Sequence, residues 1–226
     1  MDEKRYRLLT RIAVTLTLAW VVWTVFDSGL VDWRPAAAEL DAARKQLEDG
    51  HYEEALALYQ NAFANDPANL GALRGMAQAL MQLGAEAERL AQDGPQGAAK
   101  EVDLARAYYT RAMTHYDQAI RREEVREPTP LRQRILGVAY ANRGILRDRM
   151  ADYSGALSDY IESMRLEPEV AEGPGFLIRF MRNQAEKPPT VADRARYLRV
   201  ELSKPEDERL LRMPELDARQ RAYSMD

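Results

Sequence analysis

Gly50-His51-Tyr52-Glu53-Glu54-Ala55-Leu56-Ala57-Leu58-Tyr59-Gln60-Asn61-Ala62-Phe63-Ala64-Asn65-Asp66-Pro67 is the stretch on which the fold turns. Tyr52, Ala55, Tyr59 and Ala62 recur at steps of three, four and three, and the same steps return at Tyr109, Ala112, Tyr116 and Ala119 and at Tyr153, Ala156, Tyr160 and Ser163. Leu56, Met113 and Leu157 follow the first small residue of each set, and Phe63, Ile120 and Met164 follow the second. Placement at i, i+3, i+4 and i+7 draws one apolar stripe along a helix. Alanine or serine within the stripe lets a second helix come close, and tyrosine fills the space between helices.

These residues resemble the tetratricopeptide-repeat family, whose 34-residue unit is a pair of antiparallel helices with glycine, tyrosine, alanine and a closing proline at fixed places. The first copy closes at Asp66-Pro67 and the third, Asp152-Tyr153-Ser154-Gly155-Ala156-Leu157, at Glu167-Pro168. Proline cannot continue a helix, so it ends the unit and turns the chain. Leu73, Met76, Ala77 and Leu80 match the first helix of the second unit, and Tyr140 and Gly144 that of the third. The resemblance covers roughly residues 36 to 170 and implies an all-α helix-hairpin solenoid, to which the rest of the chain is expected to add one N-terminal transmembrane helix before it and C-terminal capping helices after it.

The tyrosine starts lie 57 and 44 residues apart, so the second unit carries extra chain. It is read as a lengthened pair, about Leu70 to Ala91 and Ala98 to Arg126, joined at Asp93-Gly94-Pro95-Gln96-Gly97. A degenerate fourth repeat is the rival count, and the middle segment lacks the family residues for it. The division that follows is 1–34 for an N-terminus and anchor, 35–170 for three repeats with the second enlarged, 171–203 for capping helices and 204–226 for an arm. Phe176, Leu177, Phe180 and Met181 suit a capping helix, and Pro188-Pro189 precedes another from about Val191 to Leu202. Ser203 and Glu206 suggest a further helix start, leading to Leu210, Leu211, Met213 and Leu216; the arm packs back on the repeats or reaches onto a partner.

The apolar run from Leu8 to Val31 stands apart, with an uncharged heart from Ile12 to Phe26. A helix from Leu8 to Leu30 is long enough to span a bilayer, which takes about 20 apolar residues. Trp20, Trp23 and Trp33 fall in or beside it, as interfacial anchors do. Lys4, Arg5, Arg7 and Arg11 precede the run, while Asp27, Asp32 and Arg34 follow it, which puts the N-terminus in the cytoplasm and the repeats on the other, periplasm-like side. A cleavable signal ending near Ala36-Ala37-Ala38 is the alternative. Thr10, Ala13, Thr17 and Thr24 share one helix face, suited to a neighbouring membrane helix or to a lone anchor.

Acidic and basic residues are 36 against 32, so nothing favours nucleic acid. The absence of cysteine removes disulfides, thiolate metal sites and a cysteine nucleophile. His51 and His115 occupy unrelated places, and no glycine-rich phosphate loop is present. The sequence thus predicts no enzyme, no cofactor, no metal and no small-molecule substrate. The resemblance implies a concave groove, lined by the first helix of each pair, for peptides or helices of other proteins. Arg44, Arg74, Gln78, Asn142, Ile145 and Arg149 are its expected contacts, with Ala37, Gly71, Gly75 and Ala141 leaving room. Asn142 would hold a peptide backbone by its amide, and the arginines would favour acidic partners. Three roles follow: an anchored adaptor or assembly factor at a membrane complex, a permanent subunit of such a complex, or an exported soluble binding module.

Overall fold

The computed structural model describes residues 3–27, 35–93, 99–169, 190–213 and Tyr223. Among them the helices are α1 (Glu3–Asp27), α2 (Pro35–Glu48), α3 (Tyr52–Asn65), α4 (Leu70–Asp93), α5 (Ala99–Glu124), α6 (Pro130–Arg149), α7 (Tyr153–Leu166) and α8 (Val191–Leu202), with a 3-10 turn at Glu206–Glu208. The expected capping residues Phe176, Leu177, Phe180 and Met181, the joint at Gly94–Gly97, Trp33 and Leu216 lie outside the described residues.

Local chemistry sets the helix ends. α2 stops at Gly50, whose φ of 85° is open to glycine, and the amides of Gly50 and His51 bond back to Leu47 O and Gln46 O. The corresponding turn after α6 uses Ala151 at φ 62°, with Ala151 N on Asp148 O and Asp152 N on Arg147 O. Thr129 caps α6 by accepting from Arg132 N, with Pro130 in the first turn, and Asp152 caps α7 by accepting from Gly155 N. Thr190 and Asp193 close a reciprocal capping box on α8. Ser203, expected to start a helix, instead ends α8: its hydroxyl donates to Val200 O at 2.7 Å, and Pro205 opens only a single 3-10 turn. The Ser203 N–H, which the Glu206 carboxylate would have to accept from, is already bonded to Val200 O at 3.2 Å.

Consecutive helices pack as three hairpins, α2–α3, α4–α5 and α6–α7, stacked through α3–α4 and α5–α6, with α8 laid on α7. First helices also meet one another, α2 with α4 and α4 with α6, whereas the second helices α3, α5 and α7 make no comparable contact. The stack therefore curves toward the side of α2, α4 and α6, its inner face.

The tyrosine and alanine anchors form the core: Ala55, Ala112, Ala156 and Tyr160 have no exposed surface, and Tyr59, Tyr109 and Tyr116 are buried. Leu73, Leu80 and Leu146 are also fully covered, and each such side chain contributes about 1.5–3 kcal/mol by leaving water. One cluster runs through α4 to α8 and a second joins α2, α3 and α4. Glycines on first helices make the tyrosine packing possible. A Cβ on Gly75 would lie 2.3 Å from the Tyr59 ring, one on Gly84 2.4 Å from Tyr109, and one on Gly144 2.6 Å from Tyr160. Gly75 thus makes room for a neighbouring helix, a correction to its expected place in the groove.

Helix α1 contains the apolar run, and its side chains from Ile12 to Trp23 stand largely uncovered, with Trp20 66% and Trp23 67% exposed. Among the described residues, no repeat helix packs extensively against it. Among the described residues, no helix is long and apolar enough to cross a membrane. The expected span to Leu30 runs beyond them, and side chains in α1 are described at Arg7 and from Thr10 to Thr24.

Candidate functional site

The inner face is polar and largely self-bonded. Arg44 on α2 stays exposed and pairs with Asp41 at 3.4 Å. Arg74 on α4 turns into the contact with α5, its Nη1 3.5 Å from Oε2 of buried Glu123, and Gln78 one turn later is half-buried. Burial lowers the Arg74 pKa against the opposing charge of Glu123. Arg126 at 3.8 Å and Arg132 at 3.6 Å close on the other oxygen of Glu123. Three guanidiniums thus share one carboxylate, leaving this end of the face with a positive surplus. Arg149 on α6 reaches Glu88 on α4 at 3.5 Å, and the Tyr109 hydroxyl donates to the same carboxylate at 2.9 Å.

Asn142, Ile145 and Arg149 follow one another along α6, but they do not line one open surface. Ile145 is 1% exposed within the core cluster, and Ala141 is fully buried there. These are corrections to the expected groove, because the apolar side of α6 faces α4, α5 and α7. The Asn142 amide is engaged within the chain. Its Nδ2 donates to the carbonyl of Tyr223 at 3.0 Å, and its Oδ1 accepts from the Tyr223 N–H at 2.7 Å. Both backbone groups of one residue are held, as a neighbouring strand would hold them. The Tyr223 hydroxyl accepts from Val191 N, in the first turn of α8, at 3.2 Å, and its ring packs on the main core. Burial raises the Tyr223 pKa, so the phenol stays neutral.

Beneath Asn142 lies the phenol of Tyr116, fully buried and with its pKa raised chiefly by that burial. Among the described residues its hydroxyl meets no partner in hydrogen-bonding geometry, although the Asn142 amide lies near enough to oppose the shift. Arg143, beside Asn142, braces the site from behind. It grips Asp159 on α7 through Nε at 2.8 Å and Nη2 at 2.7 Å, bonds Asp117 on α5 at 2.8 Å, and stacks over Tyr140. Burial works to lower its pKa, and the two aspartates more than offset this, so it is raised.

Arg143, Glu123, Tyr116 and Tyr223 were not singled out by the sequence as parts of this face. For Tyr223 the available signal was a lone aromatic in a polar arm, Ala222-Tyr223-Ser224. His51 lies beside Gln46, and His115 sits on α5. Among the described residues, no three of His, Asp and Glu gather where a metal ion could be held.

The tetratricopeptide-repeat family model matches residues 46–112, which take in the end of α2, all of α3 and α4 and the first half of α5. Over those residues the chain is similar to the tetratricopeptide-repeat family. No curated protein matches it. Among solved structures it is similar to the first tetratricopeptide-repeat domain of Spaghetti (RPAP3) bound to the HSP90 peptide SRMEEVD, at 18% identity and a TM-score of 0.49, over 77% of this chain and 98% of that one. The repeat is a protein-interaction module, and no catalytic family is indicated.

Proposed function

We propose that the chain is a membrane-tethered scaffold that recruits or helps assemble other proteins through the inner face of its repeats. The observation that carries the binding half is Asn142, whose amide holds both backbone groups of an extended residue. An extended peptide offers that pair at every second residue along one edge, so the contact is independent of sequence. The positive surplus around Glu123 draws acidic segments toward the same face.

Tethering is supported by α1. Its apolar side chains, Trp20 and Trp23 included, are left uncovered by the repeats, and such a contiguous apolar surface needs a cover. A bilayer supplies one, with Arg7 and Arg11 at its cytoplasmic edge and the repeats on the opposite, periplasm-like side. The adaptor role is tested by affinity purification in mild detergent, with alkaline extraction and protease protection on intact membranes. The expected result is a carbonate-resistant, uncleaved chain whose repeats are shielded from cytoplasmic protease. Release by carbonate, or an intact mass beginning near Glu39, sinks the tether.

A permanent structural subunit is the second reading, favoured by the uncovered small face of α1. Thr17 donates to Ala13 O and Thr24 to Val21 O, so both hydroxyls are satisfied within the helix and leave a low, smooth surface for another helix. Replacement of Ala13 and Thr17 by Leu detaches the chain from its complex on this reading and leaves client binding unchanged on the adaptor reading.

A further inference from the structure

We propose that the place between α6 and the first turn of α8 where Tyr223 sits is a site for an extended segment carrying a tyrosine, and that the chain's own Tyr223 fills it until a partner's tyrosine takes its place. The inference rests on the scaffold reading of the inner face and adds to it the identity of the side chain read and the competitor that guards the site.

Three contacts define the chemistry. The Asn142 amide takes the N–H and C=O of one residue, which fixes an extended backbone at that point. The phenol oxygen of that residue accepts from Val191 N. Val191 has no exposed surface, and its amide is one of the donors that a helix start leaves without an intrahelical partner. Phenylalanine would fill the same volume and leave this buried donor unpaired, the kind of loss by which a polar pocket rejects an analogue lacking a hydroxyl. The pocket therefore reads tyrosine. Thr190 accepts from Asp193 N and so is committed to its own helix, leaving Val191 N to the incoming oxygen.

The occupant is exchangeable because what holds Tyr223 is three hydrogen bonds and the packing of one ring, reinforced by its connection to the chain. A tether presents its end at an effective concentration on the order of millimolar. A free segment identical to the tail then has to reach about that concentration to displace it, whereas a partner with further contacts along the positive inner face does so at lower concentration. With Tyr223 bonded to it, Asn142 is 3% exposed, and both polar atoms of its amide are taken. Unrelated extended peptides are thereby kept from the backbone clamp.

The test uses the full chain in detergent micelles and a labelled synthetic peptide of the sequence Asp217–Asp226, read by fluorescence anisotropy. Tyr223→Ala opens the site without shortening the chain, and a second variant ending at Met213 removes the competitor altogether; helix content is checked by circular dichroism in both. The expected result is peptide binding to both variants at least about tenfold tighter than to the unaltered chain. Asn142→Ala placed in the Tyr223→Ala chain weakens binding by about tenfold or more, as does phenylalanine for tyrosine in the peptide. Equal affinity for the unaltered and Tyr223→Ala chains overturns the proposal, and so does failure of the peptide to bind either folded variant. A dimer of the unaltered chain that Tyr223→Ala dissolves also overturns it, because the tail would then sit in a second copy. Partners that co-purify unchanged with the Asn142→Ala and Tyr223→Ala chains defeat this inference and leave the scaffold reading standing. A folded chain that retains no protein partner defeats the scaffold reading itself.

Discussion

Arg194 on α8 forks onto Asp148 on α6, with Nε 2.7 Å from Oδ2 and Nη2 2.7 Å from Oδ1. The Tyr160 hydroxyl on α7 donates to the same carboxylate at 3.2 Å, and Arg194 Nη2 also donates to Leu211 O at 2.9 Å. One buried ion pair thus joins both helices of the last repeat to the capping helix and to the start of the arm. Asp148→Ala leaves a buried guanidinium without its carboxylate and costs about 3–5 kcal/mol, whereas Asp148→Leu combined with Arg194→Met recovers most of the loss. Urea unfolding of the three chains checks this. A loss below about 1 kcal/mol in the single variant would mean that the pair is not secluded from water.

Ala151 holds φ 62° in a turn whose counterpart after α2 uses Gly50. A side chain in this conformation costs about 1–2 kcal/mol, and glycine gives back part of that through its freer unfolded chain. Ala151→Gly is expected to stabilise by about 0.5–1 kcal/mol, and Gly50→Ala to destabilise by a similar amount. Thermal melting of both variants decides, and a shift of the same sign in both counts against the turn equivalence.

Gly144 lies beneath the Tyr160 ring, and an added methyl would meet it at 2.6 Å. Alanine improves helix propensity by about 1 kcal/mol, but overpacking costs about 1–3 kcal/mol, and Tyr160 is fully buried with its hydroxyl bonded to Asp148. Gly144→Ala is therefore expected to destabilise, while Gly144→Ala with Tyr160→Leu regains stability relative to Tyr160→Leu alone. Independent, additive effects in that double-mutant cycle would refute the contact.

Charge reversal at Arg74 tests more than partner binding. Glutamate there would face buried Glu123 with only Arg126 and Arg132 to balance the pair. Arg74→Glu is expected to lose about 2–4 kcal/mol of stability, and Arg74→Gln clearly less. Client binding is therefore better probed at Arg44, which is exposed and, among the described residues, pairs with Asp41 of its own helix. Equal stability of the Glu and Gln variants would remove Arg74 from the interior.

Burial, and then the charge of Arg111, depress the His115 pKa below its ordinary value of about 6.5. The unfolded chain then binds the proton more readily than the folded one, so stability rises with pH in this window. The contribution of neutral His115 is present above pH ~6.5 and is lost as pH falls through the folded value. His115→Gln is expected to flatten the fall in melting temperature between about pH 7 and 5. Asp193, held low by its bond from Thr190, acts in a separate and more acidic window, where its protonation weakens the α8 cap. An unchanged slope in the His115→Gln chain would exclude the histidine as its source.

Helix pairing was legible in the chain itself, because it depends on local periodicity. The steps between Tyr52, Ala55, Tyr59 and Ala62, and their two returns, name the buried stripe of α3, α5 and α7, and all of these anchors except Tyr52 and Tyr153 are buried. Glycine, proline and threonine at the turns mark where helices stop, since their backbone preferences act within a few residues. Tertiary structure decided what faces what across larger separations. Nothing local distinguishes Gly75, filled by the Tyr59 ring, from a glycine that leaves space for a ligand. Nor does it show that Arg74 would be drawn to Glu123, or Ile145 into the core, since both outcomes depend on how far each helix is rotated against its neighbours. The family resemblance suggested that the amide of Asn142 would hold a backbone. That its occupant is Tyr223, 81 residues onward, was settled by packing, because a hydrogen bond between distant residues leaves no periodic trace in the sequence.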